Sequence, residues 1–223
     1  MEALTGFEGP FNSRIAYVSN RTGDKEIYIM DSDGHNDTRV TDHQSIALNP
    51  DISPDGRELL FTSYKRGNPD LYRKVLASGK EQLISNRQGL NVTARHRPGS
   101  NETGVTLSRD GNTEIYLLDR QGRIESRLTR SWGIDINPSF SPDGDRFAFM
   151  SDRQGNPHIF IADVGDEAAR RLTRAGKYNA TPAWNPRKDI IAFSRLQGGV
   201  FDIYTIRADG SDERRLTFGP GNK

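Results

Sequence analysis

Cysteine is absent from the chain, which removes disulfides and thiolate metal sites from its chemistry and leaves its compartment open. No apolar run approaches the roughly 18 residues of a membrane-spanning helix, so no membrane insertion is expected. The opening Met1-Glu2-Ala3-Leu4-Thr5-Gly6 lacks the basic-then-apolar pattern of a secretory leader. Charge of one sign is lacking as well. With 31 Lys and Arg against 30 Asp and Glu, the net charge of +1 gives no field that would gather nucleic acid or an anionic membrane. Helical periodicity is missing throughout. So are the Gly-x-Ser-x-Gly elbow, the His-Glu-x-x-His motif and any lysine-bearing phosphate loop. The four histidines, His35, His43, His96 and His158, fall at unrelated places. No catalytic residue, metal set or cofactor is expected, and the chain reads as non-enzymatic.

What the chain does contain is a repeat. Aromatics stand every 44 positions at Tyr28, Tyr72, Tyr116, Phe160 and Tyr204. Hydroxyl residues do the same at Thr41, Ser85, Thr129, Thr173 and Thr217, and prolines at Pro10, Pro54, Pro98, Pro142 and Pro186. A further column runs Tyr17, Phe61, Val105, Phe149 and Phe193. A period of about 40 to 50 residues is that of a four-stranded propeller blade. Within a unit, Ser141-Pro142-Asp143-Gly144 reads as a tight turn. Phe147 to Ser151 then alternates as a strand, and a loop with a recurrent glycine (Gly23, Gly67, Gly111, Gly155, Gly199) leads to the next. Asp33-Gly34 and Asp209-Gly210 mark the second hairpin, before an outer strand ending in Arg171-Leu172-Thr173. The acidic residues Asp31, Asp33 and Asp119 lack the remaining ligand ladder of a calcium loop and read as turn residues. The expected fold is all-β: a β-propeller of five four-stranded blades in one domain over residues 1–223. The blade units fall at about 4–45, 46–89, 90–133, 134–177 and 178–223.

Three irregularities bear on function. Unit three has Ala94 for proline, Arg97-Pro98-Gly99-Ser100 for the usual turn, and His96 on the inner strand, which is not read as catalytic. Unit one lacks a convincing first strand, and Leu216 to Lys223 stops where a further one would begin. Either Leu4 to Pro10 or Phe218 to Lys223 is expected to complete blade one, or an open edge should drive self-association. Finally, small polar residues gather where the chain enters each inner strand. Asn49, Asn91, Thr93, Asp135, Ile136, Asn137, Asn179 and Thr181 are the candidate partner-binding residues. Two readings stand open: a polar rim that receives a partner's loop, or side chains that satisfy backbone groups at a strand entry.

The Pro-x-x-Ser-Pro-Asp-Gly, Phe-x-Ser-x-Arg-x-Gly and Arg-Leu-Thr motifs resemble the WD40-like repeat of TolB propellers. The opening Glu2 to Val18 resembles the segment that joins the TolB N-terminal domain to its propeller. The family has a signal peptide, an N-terminal α/β domain and six blades, so five units imply a truncated or engineered propeller. The resemblance implies a periplasmic protein of the Tol-Pal envelope system that binds the peptidoglycan-associated lipoprotein at the channel mouth. It places that contact on Asn137 and Ile136, with Asn49, Thr93 and Thr181 as equivalents. Two alternatives carry no such partner: a blade-number variant that serves only as a scaffold, and a propeller that gates a serine peptidase.

Overall fold

The computed structural model describes residues 13–219 and 221. Every element among them is a strand. In unit one, Met1–Asn86, these are β1 (Arg14–Thr22), β2 (Asp24–Asp31), β3 (Thr38–Arg39), β4 (Ala47–Ile52), β5 (Glu58–Ser63), β6 (Asp70–Val75) and β7 (Glu81–Ser85). Unit two, Arg87–Lys223, begins with β8 (Asn91–His96), β9 (Thr103–Leu107), β10 (Glu114–Leu118) and β11 (Ile124–Arg127). It continues with β12 (Asp135–Phe140), β13 (Arg146–Ser151), β14 (His158–Asp163) and β15 (Ala169–Arg171), then β16 (Asn179–Trp184), β17 (Ile190–Gln197), β18 (Val200–Arg207) and β19 (Arg214–Arg215).

Consecutive strands pair antiparallel into five sheets, the blades of an all-β propeller. Four sheets have four strands. The first, β1-β2-β3, has three among the described residues, as the weak start of that repeat unit foretells. Completion of blade one by Leu4 to Pro10 falls outside the described residues, as do Pro220, Asn222 and Lys223 of the alternative segment. Blade three keeps its four strands despite its irregular turn.

The two aromatic columns are cross-strand partners. Tyr17 opposes Tyr28, Phe61 opposes Tyr72, Phe149 opposes Phe160 and Phe193 opposes Tyr204. Their ring centroids lie 5.7–6.0 Å apart, within the range of favourable aromatic pairs. In unit two these rings fill the space between sheets. Ile115, Leu117 and Leu128 of blade three meet Phe140, Phe147 and Phe149 of blade four. Ile159, Ile161 and Leu172 of blade four meet Trp184, Ile191 and Phe193 of blade five. Each fully buried side chain of this size contributes roughly 1.5–3 kcal/mol, so stability resides at the junctions between repeats.

The turn motifs have structural work. In Ser141-Pro142-Asp143-Gly144 the Gly144 amide donates to the Ser141 carbonyl (2.9 Å), and Ser141 Oγ accepts from the Arg146 amide (3.0 Å). Gly144 has φ of 77°, which its turn requires. Asp33 and Asp119 likewise accept backbone amides two residues on, at 3.0 and 2.8 Å.

In blades three and five the Arg-Leu-Thr motif closes the outer strand onto a buried acid. In blade three the Ile115 amide donates to Thr129 Oγ1 (2.9 Å), and Thr129 Oγ1 donates to Glu114 (2.6 Å). Arg127 spans the same group, with Nε on the Thr129 carbonyl (2.9 Å) and Nη2 on Glu114 (3.0 Å). Blade five repeats this with Asp202, Arg215 and Thr217. Buried polar groups are tolerated only when so satisfied. In blade four His158 takes the acid's place, accepting from Arg171 at 2.5 Å while its Nδ1 lies 3.0 Å from Thr173. Burial and the Arg171 and Arg195 guanidiniums push the imidazole down to about 4.

Candidate functional site: the inner-strand rim

The start of each inner strand pairs with the end of the second strand, as Asp135 does with Ser151. The loop entering the inner strand and the glycine turn joining the second and third strands therefore share one end of the blade. The candidate residues all lie there, and apart from Ile136 they divide into two sets.

Asn91, Asp135 and Asn179 are wholly buried. Asn91 Nδ2 donates to the Arg87 carbonyl (2.7 Å), and Asn179 Oδ1 accepts from Arg195 Nε (2.7 Å). Asp135 Oδ2 accepts from Arg153 (2.6 Å) and from Ser131 Oγ (3.2 Å). Burial raises the Asp135 carboxyl above its usual range, against the lowering pull of Ser151 and Arg153. These side chains hold the loops from inside, Asn91 and Asn179 by bonds to loop carbonyls and Asp135 by bonds to side chains.

Asn49, Thr93, Asn137 and Thr181 form the second set. All four are left-handed, with φ of 54°, 52°, 59° and 50°, and all sit at the same register shift in the inner strand. The shift is a β-bulge, which re-aims side chains next to functional surfaces. For a β-branched residue this conformation is an outlier, and such strain clusters where structure serves a site. Thr93 and Thr181 are steadied by hydroxyl bonds of 2.8 Å to Thr106 and Ser194. Thr181 is exposed, whereas Asn49, Thr93 and Asn137, like Ile136, are half-buried. Asn49 belongs to unit one, and the other three stand on the successive inner strands of unit two.

One column escaped the sequence reading. Ile46, Leu90, Ile134 and Tyr178, again 44 apart, immediately precede the inner strands and are 36–45% exposed. Their carbonyls accept amides at or just past the ends of the second strands, as Leu90 does from Ser108 (3.2 Å) and Tyr178 from Leu196 (3.0 Å). Their periodicity was visible in the sequence; their exposure was not. Trp132, two residues before Ile134, is fully exposed.

Unit one holds a serine, a histidine and a glutamate in line. His43 lies 2.9 Å from Ser63 Oγ and 3.1 Å from Glu81. Ser63 is wholly buried, and its hydroxyl accepts the Lys65 amide (3.3 Å). Glu81 is also bound by Lys65 (2.6 Å) and Lys74 (3.1 Å). Those bonds outweigh its burial and hold it at about 2. The arrangement ties β5 to β7 and gives a substrate no access to the hydroxyl.

The geometry defines a repeat propeller with a strained, partly apolar rim at one end of its blades. The chain belongs to the TolB family: the profile of the TolB beta propeller domain matches residues 1–223. The Tol-Pal system protein TolB of Syntrophotalea carbinolica is 63% identical over 60 residues, covering 27% of this chain and 14% of that protein. The crystal structure of TolB from Acinetobacter baumannii superposes with a TM-score of 0.86 at 31% identity, covering 97% of this chain and 55% of that one. The chain thus spans about half the length of that TolB. A prolyl endopeptidase shares the fold, with a TM-score of 0.62 at 12% identity over 91% of this chain and 33% of its own.

Proposed function

We propose that this chain is a non-enzymatic, protein-binding propeller of the periplasmic Tol-Pal system, and that its rim receives the peptidoglycan-associated lipoprotein. The observation that carries this is the exposed column of Ile134 and Tyr178, set beside the left-handed Asn137 and Thr181. Apolar and aromatic side chains on loops held from below lose little entropy on binding, and such residues dominate interface energetics. The buried Asn91, Asp135 and Asn179 act as supports, and contact falls to Thr93, Ile136, Asn137 and Thr181 with the apolar column. Calorimetric titration with the soluble domain of the lipoprotein tests this. Tyr178→Ala should weaken binding about tenfold or more while the chain remains folded, as a urea titration checks. Equal affinity for the variant and the parent chain would count against the rim.

Self-association is a second reading, favoured by one observation. Leu216 is 54% exposed, whereas Leu128 and Leu172 at the same repeat position are 3% and 2% exposed. The sheet face of blade five that bears Leu216 would then meet a second copy, making a scaffold whose contact is its own chain. Sedimentation at several concentrations should show mass action that Leu216→Glu abolishes; a concentration-independent monomer would rule this out.

A further inference from the structure

A cavity of about 600 Å³ opens in blade three between the turn Asp110-Gly111-Asn112 and the loop Arg130-Ser131-Trp132. Three features mark it as built. First, its tryptophan is not part of the repeat, since Gln44, Gln88 and Gly176 stand at the equivalent positions. Second, the residues on both sides of Trp132 are fastened. Asn112 Nδ2 donates to the Ser131 and Gly133 carbonyls (2.8 and 2.9 Å), and the Ser131 amide donates to buried Glu114 (2.9 Å). A Cβ on Gly133 would fall 2.5 Å from Asp152 Oδ1 and 2.7 Å from the Arg153 amide nitrogen, so the loop lies close against the neighbouring turn. The indole is therefore held out by a fixed backbone. Third, the charges are unequally committed. Asp110 accepts from the Tyr116 hydroxyl and from Arg109 Nε (3.1 Å). Arg130 pairs across open solvent with Glu167 (2.7 Å), both side chains being more than half exposed. Such a pair contributes little and exchanges readily for another carboxylate. Arg127 Nη1 faces the same space, 3.8 Å from Asp110.

An exposed indole beside two guanidiniums suits an anion joined to an apolar group. We propose that this cavity receives a carboxylate side chain flanked by an apolar or aromatic residue, on an acidic peptide segment of the protein that docks on the rim. The peptide class is favoured over a saccharide because the apolar surface continues into Ile134, an aliphatic contact for another side chain. The inference rests on the protein-binding reading above.

The probes are acetyl-Glu-Phe-Asp-Phe-amide, its Gln/Asn analogue and an N-acetylglucosamine tetramer. Trp184 is buried and the chain has two tryptophans, so an emission change reports Trp132. The acidic peptide should shift the emission, and its affinity should fall about tenfold in the amide analogue and in Arg130→Gln. Trp132→Ala should abolish binding by calorimetry while leaving the urea midpoint unchanged. Equal binding of the amide analogue, or binding of the tetramer in place of the peptide, would overturn the assignment. Equal affinity of the parent chain and Trp132→Ala for the lipoprotein domain would sink the cavity's role and leave the rim standing. If the peptide binds and the lipoprotein domain does not, the cavity stands and the rim reading fails.

Discussion

Glu114→Ala should lower the stability of the unit built from blades three to five by about 3–5 kcal/mol, the usual cost of removing one partner from a buried charged network. Glu114 is wholly buried and receives Arg127, Thr129, the Ser131 amide and Asn112. Removing it leaves Arg127 Nη2 and the Ser131 amide without their acceptor, and a buried donor left unpaired costs its full desolvation. Glu114 also raises the Asp135 carboxyl through its charge, so its loss should bring that group down. Urea unfolding at pH 7.5 measures the effect, with Glu114→Gln as control. The amide keeps an acceptor and should lose less. Because Ser131 hangs on Glu114, the loop carrying Trp132 and Ile134 should loosen before the sheet does, seen as faster amide exchange at residues 130–134.

The second large effect is a fall in stability with acid, centred on His158. Its folded pKa of about 4 lies below the ordinary value of 6.5. Between those values the unfolded chain binds a proton that the folded chain refuses. Stability from this site is therefore full above pH 6.5, falls as pH drops toward 4 and changes no further below that. The loss should be roughly 2 kcal/mol, somewhat less than the full shift implies because the surroundings relax. His158→Asp isolates it. Asp202 already fills this position in blade five, reaching Arg215 at 2.5 Å and Thr217 at 3.1 Å. The aspartate variant should lose the decline between pH 6.5 and 4.5, measured by urea midpoints across that range. An unchanged decline would assign acid sensitivity elsewhere.

The blades were legible because their cause is local and repeated. Glycines at forced positive φ and paired aromatics recur every 44 residues, and each follows from turn geometry or from cross-strand packing. The site was legible only in part. Asn49, Thr93, Asn137 and Thr181 were found by position, yet nothing in their letters announces a bulge or a left-handed backbone. Asn91, Asp135 and Asn179 look the same in the sequence as a polar rim does, and only burial assigns them to the inside. The buried acids Glu26, Glu114 and Asp202 were not read as a network because their Arg and Thr partners lie 13 and 15 residues away. Ile134 and Tyr178 went unread because apolar letters beside a strand do not say which way the loop turns them.

The most direct test is the hydrogen-exchange footprint of the lipoprotein's soluble domain on this chain. Slower exchange is expected in segments 131–137 and 175–181, with no change at the opposite hairpin turns around Gly122 and Gly165. Protection at those opposite turns, or along the outer strands, with the rim unaffected, would contradict the assignment of partner binding to the inner-strand rim.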